Sequence, residues 1–360
     1  EYRAHTDSWA AWPARRGADG LDPVTPDDHY FNTMDTRRIY GPFDLSDAVM
    51  ADADFWLWRE IETCCDYVVL EISHDDISLD GVAVQELARW TGSSGWEFKD
   101  VYFNDYVGDN SVWLAWRFVS DSSVTYDGPW VDDVRIRKFV PGEVTASGTF
   151  HYYDRQDSYV PARFTSALLY DADPGGVDDL LASTTTDGNG FFQFPPLLNW
   201  DSDDSSQDPF ARRLDLYVVW ETDSNDGPSR RKVTSLLGTL SQWGSGVHTN
   251  ASDGAVAFAN YVENGSGGER AMWLFDDLHR AKDYVVATTG SSPGTAEVRW
   301  EYNVNCFFFN VQICNSGFWP APPLNGIFIS NQHVGARAVV LHEISHLYMY
   351  NAMGQWFWQA

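Results

Sequence analysis

The acidic residues of this chain are mostly of the kind that resists helices: of 52 Asp and Glu in 360 residues, 39 are Asp and only 13 are Glu. Asp side chains hydrogen-bond nearby backbone amides and so favour turns and caps, whereas Glu sits easily inside a helix. Aromatic residues make up 15% of the chain, and bulky rings suit a pleated, half-buried surface. The expectation is a mainly β multidomain protein with acidic loops. A hydrophobic fraction of 44% supplies sizeable cores and excludes global disorder, and 360 residues exceed one domain of about 100–200 residues.

The formal net charge of -28 excludes nucleic acid and anionic membrane as partners, because phosphate binding needs clustered cations. Acidic loops can hold Ca²⁺ through carboxylate oxygens, although a solvated acidic surface that keeps a secreted protein soluble is the preferred reading, and both can hold at once. No apolar run reaches the length of about 18 residues that a membrane-spanning helix needs. The chain starts at Glu1 without a Met or a basic-then-apolar leader, so a processed chain or fragment is expected, secreted or held at a cell surface. The cysteines are Cys64, Cys65, Cys306 and Cys314, which allow three pairings. A local disulfide between Cys306 and Cys314 across Phe307-Phe308-Phe309 is the preferred one; Cys64 and Cys65 would point to opposite faces of a strand.

Three segments follow from the patterning. Residues 1–140 carry short β-branched and aromatic runs such as Tyr67–Ser73 and Val112–Phe118, bounded by Gly, Asp, Asn and Ser, which predicts a β-sandwich. Residues 141–237 continue as β, with Asp187-Gly188-Asn189-Gly190 read as a hairpin turn and acidic loops at 171–179, 201–208 and 223–226 read as solvated. Residues 238–360 change character: Met272, Trp273, Phe275, Leu278, Ala281, Tyr284 and Val285 recur at helical spacing and Gly290 ends the helix. Strands at 296–302 and 326–330 and a second helix from about Gly335 complete an α+β order. Asn250 and Asn264 open short glycosylation sequons.

One motif carries chemistry. His342-Glu343-Ile344-Ser345-His346 is an H-E-x-x-H sequence, expected by chance only about 0.01 times in a chain with 9 His and 13 Glu. Residues four apart share a helix face, so both imidazoles can reach one Zn²⁺, and Glu343 can take a proton from the attacking water as general base. The flanking Val339, Val340, Leu341, Leu347 and Tyr348 make this helix apolar nearly all round, which predicts burial; Tyr348 is expected in the core.

Three resemblances follow from these residues. Tyr40–Ser46, Glu62, Asp66-Tyr67, Trp96, Ser120-Asp121 and Asp132-Asp133-Val134 resemble the jelly-roll module beside secreted bacterial metalloproteases of the immune inhibitor A type. That likeness implies a surface- or carbohydrate-binding role and a structural Ca²⁺, for which Glu62 and Asp132 are the natural carboxylates. Gly148–Asp154, Val160–Arg163, Ala167–Asp171 and Leu180–Phe194 resemble a transthyretin-like, carboxypeptidase-regulatory type of sandwich. The motif helix with the strand and long helix before it resembles the N-terminal part of a zincin metallopeptidase domain, gluzincin-like, with His342 and His346 as zinc ligands. The metzincin subclass is excluded, because Met349 and Ala352 stand where its Gly and third His would be.

A gluzincin takes its third ligand from a later Glu, yet residues 347–360 contain no His, Asp, Glu or Cys, so the natural polypeptide is expected to continue; His333 and Glu301 are the upstream alternatives. Two main readings stay open, beside a third, a carbohydrate-binding adhesin, that rests only on the jelly-roll likeness and on aromatics that belong equally well in the core. One is an extracellular zinc peptidase acting on peptide or protein substrates, its β-modules binding a cell surface or carbohydrate. The other is a non-catalytic structural, filament or surface-layer protein that self-assembles through apolar surfaces such as Trp356-Phe357-Trp358.

Overall fold

The structure is a computed structural model that describes residues 3–14, 29–173, 175–206, 208–224, 230–302, 307–308, 311–312, 316–319 and 326–352. Strand accounts for 44% and helix for 14%, so the mainly β expectation holds. The chain forms two compact units, Glu1–Pro141 and Gly142–Ala360, with the break one residue from the expected 140/141 boundary.

Among its described residues the first unit has seven strands: β1 (Asp35–Phe43), β2 (Met50–Glu60), β3 (Tyr67–Ser73), β4 (Gln85–Trp90), β5 (Ser94–Tyr102), β6 (Val112–Val119) and β7 (Gly128–Phe139). They pair antiparallel into two sheets, ordered β1-β6-β3-β4 and β5-β2-β7. The period-2 pattern decides which residues meet: Val112, Leu114, Trp116 and Phe118 of β6 are buried, as are Ala51, Ala53, Phe55 and Leu57 of β2. Phe55 meets Trp116 edge-on at 5.2 Å, and each such fully buried side chain stabilises the sandwich by about 1.5–3 kcal/mol. Cys64 and Cys65 sit in the turn 63–65 between β2 and β3 and not in a strand, and they are disulfide-bonded to one another. Cys306 and Cys314, the expected pair, lie outside the described residues.

The second unit holds β8 (Glu143–Tyr153), β9 (Tyr159–Pro161), β10 (Ser166–Asp171), β11 (Asp179–Thr185), β12 (Phe191–Gln193), β13 (Leu197–Leu198), β14 (Leu216–Glu221), β15 (Arg231–Ser235), β16 (Gln242–Gly244), β17 (Gly254–Val262) and α1 (Glu269–Thr289). It continues with β18 (Ala296–Tyr302), the short ladder of β19 (Phe307–Phe308) and β20 (Val311–Gln312), β21 (Gly317–Trp319), β22 (Gly326–Ser330) and α2 (Arg337–Ala352). One sheet is ordered β11-β10-β14-β16, and a second joins β12, β8 and β13 with β17 and β9 also on β8. Phe150, Phe192 and Trp220 are packed between them, with Phe150 stacked on Trp220 at 4.8 Å.

Two expectations change here. The Asp187–Gly190 turn does not close a hairpin, because β11 and β12 belong to different sheets. Asp187 accepts hydrogen bonds from the backbone N–H groups of Asn189 and Phe191, which makes the turn a crossover. Gly190, at φ 75°, is required there, since a Cβ would lie 2.4 Å from the Phe150 carbonyl oxygen. There is also no sheet boundary at 237/238. β15 runs parallel to β18 in the sheet β15-β18-β22-β21, whereas β16 returns to β14 and β17 runs parallel to β8 over nine residues. Gly238, at the expected segment boundary, reverses the chain in a tight turn at φ 92°.

The long helix keeps its expected bounds. Gly290 adopts φ 70° after α1 and donates its N–H to Val286 O at 2.8 Å. Met272, Phe275 and Leu278 are buried as the periodicity predicts, but Tyr284 is 72% exposed. It lines an apolar cleft of about 540 Å³ with Ala281, Leu341 and Met349.

Candidate metal centre

Among the described residues, the helix α2 is anchored through one side. Val340, Ile344, Leu347 and Tyr348 are buried in the core of the second unit, while His342 is exposed and Glu343 and His346 are half-buried. At 3.6 residues per turn, the histidines point away from the face of Val340, Ile344 and Leu347. Burial on all sides, expected from the apolar composition, is therefore absent; Leu341 and Met349 face the cleft against α1. Tyr348 is in the core as expected, and burial pushes its hydroxyl up to about 12.

The two histidine Nε2 atoms approach to 3.1 Å, with ring planes at 89°. Two imidazole nitrogens bound to a tetrahedral Zn²⁺ at about 2.0–2.1 Å would lie about 3.3 Å apart. The rings thus stand close to the spacing of one edge of a zinc tetrahedron, and the donor set suits that metal. Ser345, between them in sequence, donates its hydroxyl to His342 O at 2.6 Å. Among the described residues, no third His, Cys, Asp or Glu groups with this pair. His333 is engaged elsewhere: its Nδ1 bonds Ser316 Oγ at 2.9 Å, and that oxygen accepts the Ser330 N–H at 3.1 Å. The Glu301 side chain lies outside the description.

The carboxylates expected to hold Ca²⁺ are not brought into one set. Asp132 Oδ2 accepts the N–H groups of His5 and Thr6, at 2.7 and 3.2 Å. Glu62 groups instead with Asp66 and Asp121. In that group Asp66 is fully buried, with one oxygen accepting the Asp121 N–H at 2.8 Å and the other the Tyr30 hydroxyl. Asp66 and Asp121 were legible only as part of the jelly-roll pattern.

The loops at 171–179 and 201–208, read as separate and solvated, converge on an acidic basin of about 580 Å³. Asp171, Asp173 and Asp201 lie together there, as do Asp173, Asp179 and Asp203. Burial pushes the Asp171 carboxyl up to about 6; the Asp215 N–H opposes this, while Asp201, Asp173 and Asp215 add to it. A raised carboxyl means that the folded state binds the proton more tightly than the unfolded one. Stability from this group is therefore present at low pH and is lost as pH rises through the window from about 4 to about 6. Asp171→Asn is expected to raise the thermal midpoint by a few degrees at pH 8, with the gain disappearing near pH 4; an equal gain at both pH values would refute this origin.

No protein-family model matches the chain, and no curated protein matches it. Among solved structures, a 9R-lipoxygenase from Cyanothece PCC8801 is similar at 13% identity and a TM-score of 0.23, over 41% of this chain and 24% of that one. The pilus backbone protein RrgB of Streptococcus pneumoniae is similar at 11% identity and a TM-score of 0.17, over 70% of this chain and 90% of that one. Latent PorU of Porphyromonas gingivalis is similar at 10% identity and a TM-score of 0.19, over 88% and 31%. The chain thus spans about a quarter of the lipoxygenase, and scores this low establish no shared fold.

Proposed function

We propose that the chain is the metal-binding part of an extracellular zinc peptidase, with His342 and His346 as ligands, Glu343 as general base, and the β-modules holding a surface or substrate. The observation that carries this reading is the 3.1 Å approach of the two Nε2 atoms on the outer side of α2, with Glu343 next to His342 in the chain. Bound zinc would supply a Lewis acid that lowers the pKa of a water towards about 7. Glu343 would act as general base, taking a proton from the attacking water and returning it to the leaving amine. A catalytic zinc takes three protein ligands, so the third comes from outside the described residues.

The lack of a third ligand among the described residues favours one competing reading, a non-catalytic extracellular structural protein with a degenerate zincin-like part. Metal content separates the two. Elemental analysis of the purified chain after exposure to zinc and dialysis is expected to give one zinc per chain, and His346→Ala is expected to lose it without losing its circular dichroism. A zinc-free parent protein would sink the peptidase reading for this chain and leave the structural one.

A further inference from the structure

We infer that the outer face of the sheet built on β8, β9, β12 and β17 is a binding site for a flat, uncharged polysaccharide. This deepens the surface-binding half of the reading above and does not depend on the histidine pair. Strand alternation creates the face. Val144, Ala146, Phe150 and Tyr152 of β8 point into the core, so Thr145, Ser147, Thr149, His151 and Tyr153 point out. The register places Ala255, Ala257, Ala259 and Tyr261 of β17 beside Thr145, Ser147, Thr149 and His151, and Tyr159 of β9 beside Tyr153.

The result is a floor of small side chains, with Phe191 and Gln193 of β12 exposed beside Thr149 and Ser147, and with the other rings gathered at one end. His151 stacks on Tyr159 at 4.6 Å, and Tyr153, Tyr159 and Tyr261 meet pairwise at 5.6 to 6.2 Å. Tyr159 is 54% exposed and Tyr261 45%, so these rings are not spent on the core. None of the three Tyr hydroxyls hydrogen-bonds another described residue, which leaves three phenol groups to offer a ligand. The His151 Nδ1 is buried without a partner among the described residues, and burial lowers the imidazole pKa, so this ring is neutral at neutral pH. From Thr145 to Tyr153 and from Ala255 to Tyr261, no outward side chain is charged, in a chain of net charge -28.

Charge and area select the occupant. An anionic polymer is repelled by the molecule as a whole, and a basic partner finds no carboxylate on β8 between Thr145 and Tyr153, Glu143 standing only at the strand's start. Three strand spacings by nine residues make a plane of about 430 Å². That is roughly half of the ~800 Å² each partner contributes to a stable protein interface, so a second copy or another folded protein is poorly served. A single polymer chain lying along the strands fits. Pyranose rings with equatorial substituents present flat C–H faces that stack on aromatic rings, and their hydroxyls match phenol, Ser and Thr groups.

The test is retention of the intact chain on cellulose and chitin beads, with calorimetric titration of cellohexaose and chitohexaose, before and after removal of metal by chelation. Binding to at least one of the two polymers is expected, unchanged by chelation. The double variant Tyr159→Ala/Tyr261→Ala should weaken it about tenfold or more, the cost of removing aromatic anchors, and the matching Phe variant should keep most of it. Retention on neither polymer, equal retention of parent and Ala variant, or a dimer that the Ala variant dissolves would each overturn the inference. Loss of metal without loss of sugar binding would leave it standing even where the peptidase reading fails.

Discussion

Glu343→Gln is expected to leave zinc bound at one per chain while lowering peptide hydrolysis by about 10²- to 10⁴-fold, the usual contribution of a positioned general base. The substitution conserves shape and removes only the ability to accept a proton. Glu343 is half-buried on a helix held by Val340, Ile344 and Leu347, so nothing in the packing of α2 needs its charge. The proposed ligands His342 and His346 are untouched. Metal content and turnover of an unstructured protein substrate must therefore separate in this variant, whereas in His346→Ala they must fall together. Unchanged hydrolysis by Glu343→Gln would remove the residue from the mechanism. If the parent chain binds zinc and hydrolyses nothing, the site is a metal holder, and the structural reading gains.

The legible part of this fold was the part with local causes. The bounds of α1 follow from spacing and from Gly290, β18 from alternation, and β22 from the short apolar run that opens at Gly326. The His342/His346 pair was legible because a helix fixes residues four apart on one face, whatever surrounds it. What failed was partnership at a distance. Gly188 marks a turn correctly, yet a turn signal does not say which sheet the next strand joins, and β12 and β16 both went to a strand other than their predecessor in the chain. Convergence of the Asp171 and Asp201 loops has the same cause, since it depends on Asp171 ending β10 while the other loop precedes β14, the strand beside it. The uncharged face of β8 was present in the sequence as alternate Thr145, Ser147, Thr149, His151 and Tyr153. It became a surface only when β17 was seen to lie beside it, and that pairing crosses about 100 residues of chain.

Asp277→Ala is expected to destabilise the second unit by about 3–5 kcal/mol, read as a lower urea midpoint, because it strips the counter-ion from two guanidinium groups. Asp277 is fully buried in α1; Arg155 reaches it at 2.7 and 3.2 Å and Arg337 at 2.9 Å. Burial raises the Asp277 carboxyl above its ordinary range even though Arg155 and Arg337 pull it down. Desolvation thus outweighs pairing, and the triad is not a net source of stability; the large cost arises when one member alone is removed. Replacing all three with apolar residues of similar volume should therefore cost much less than the single change, and an equal loss in both would refute this account. The triad also decides what moves together. Arg155 lies in the loop joining Tyr153 to Tyr159 and also donates to Val334 O at 2.9 Å, while Arg337 opens α2 five residues before His342. Asp277→Ala should consequently weaken zinc binding through α2 and sugar binding through the ring-bearing hairpin, although it touches neither ligand.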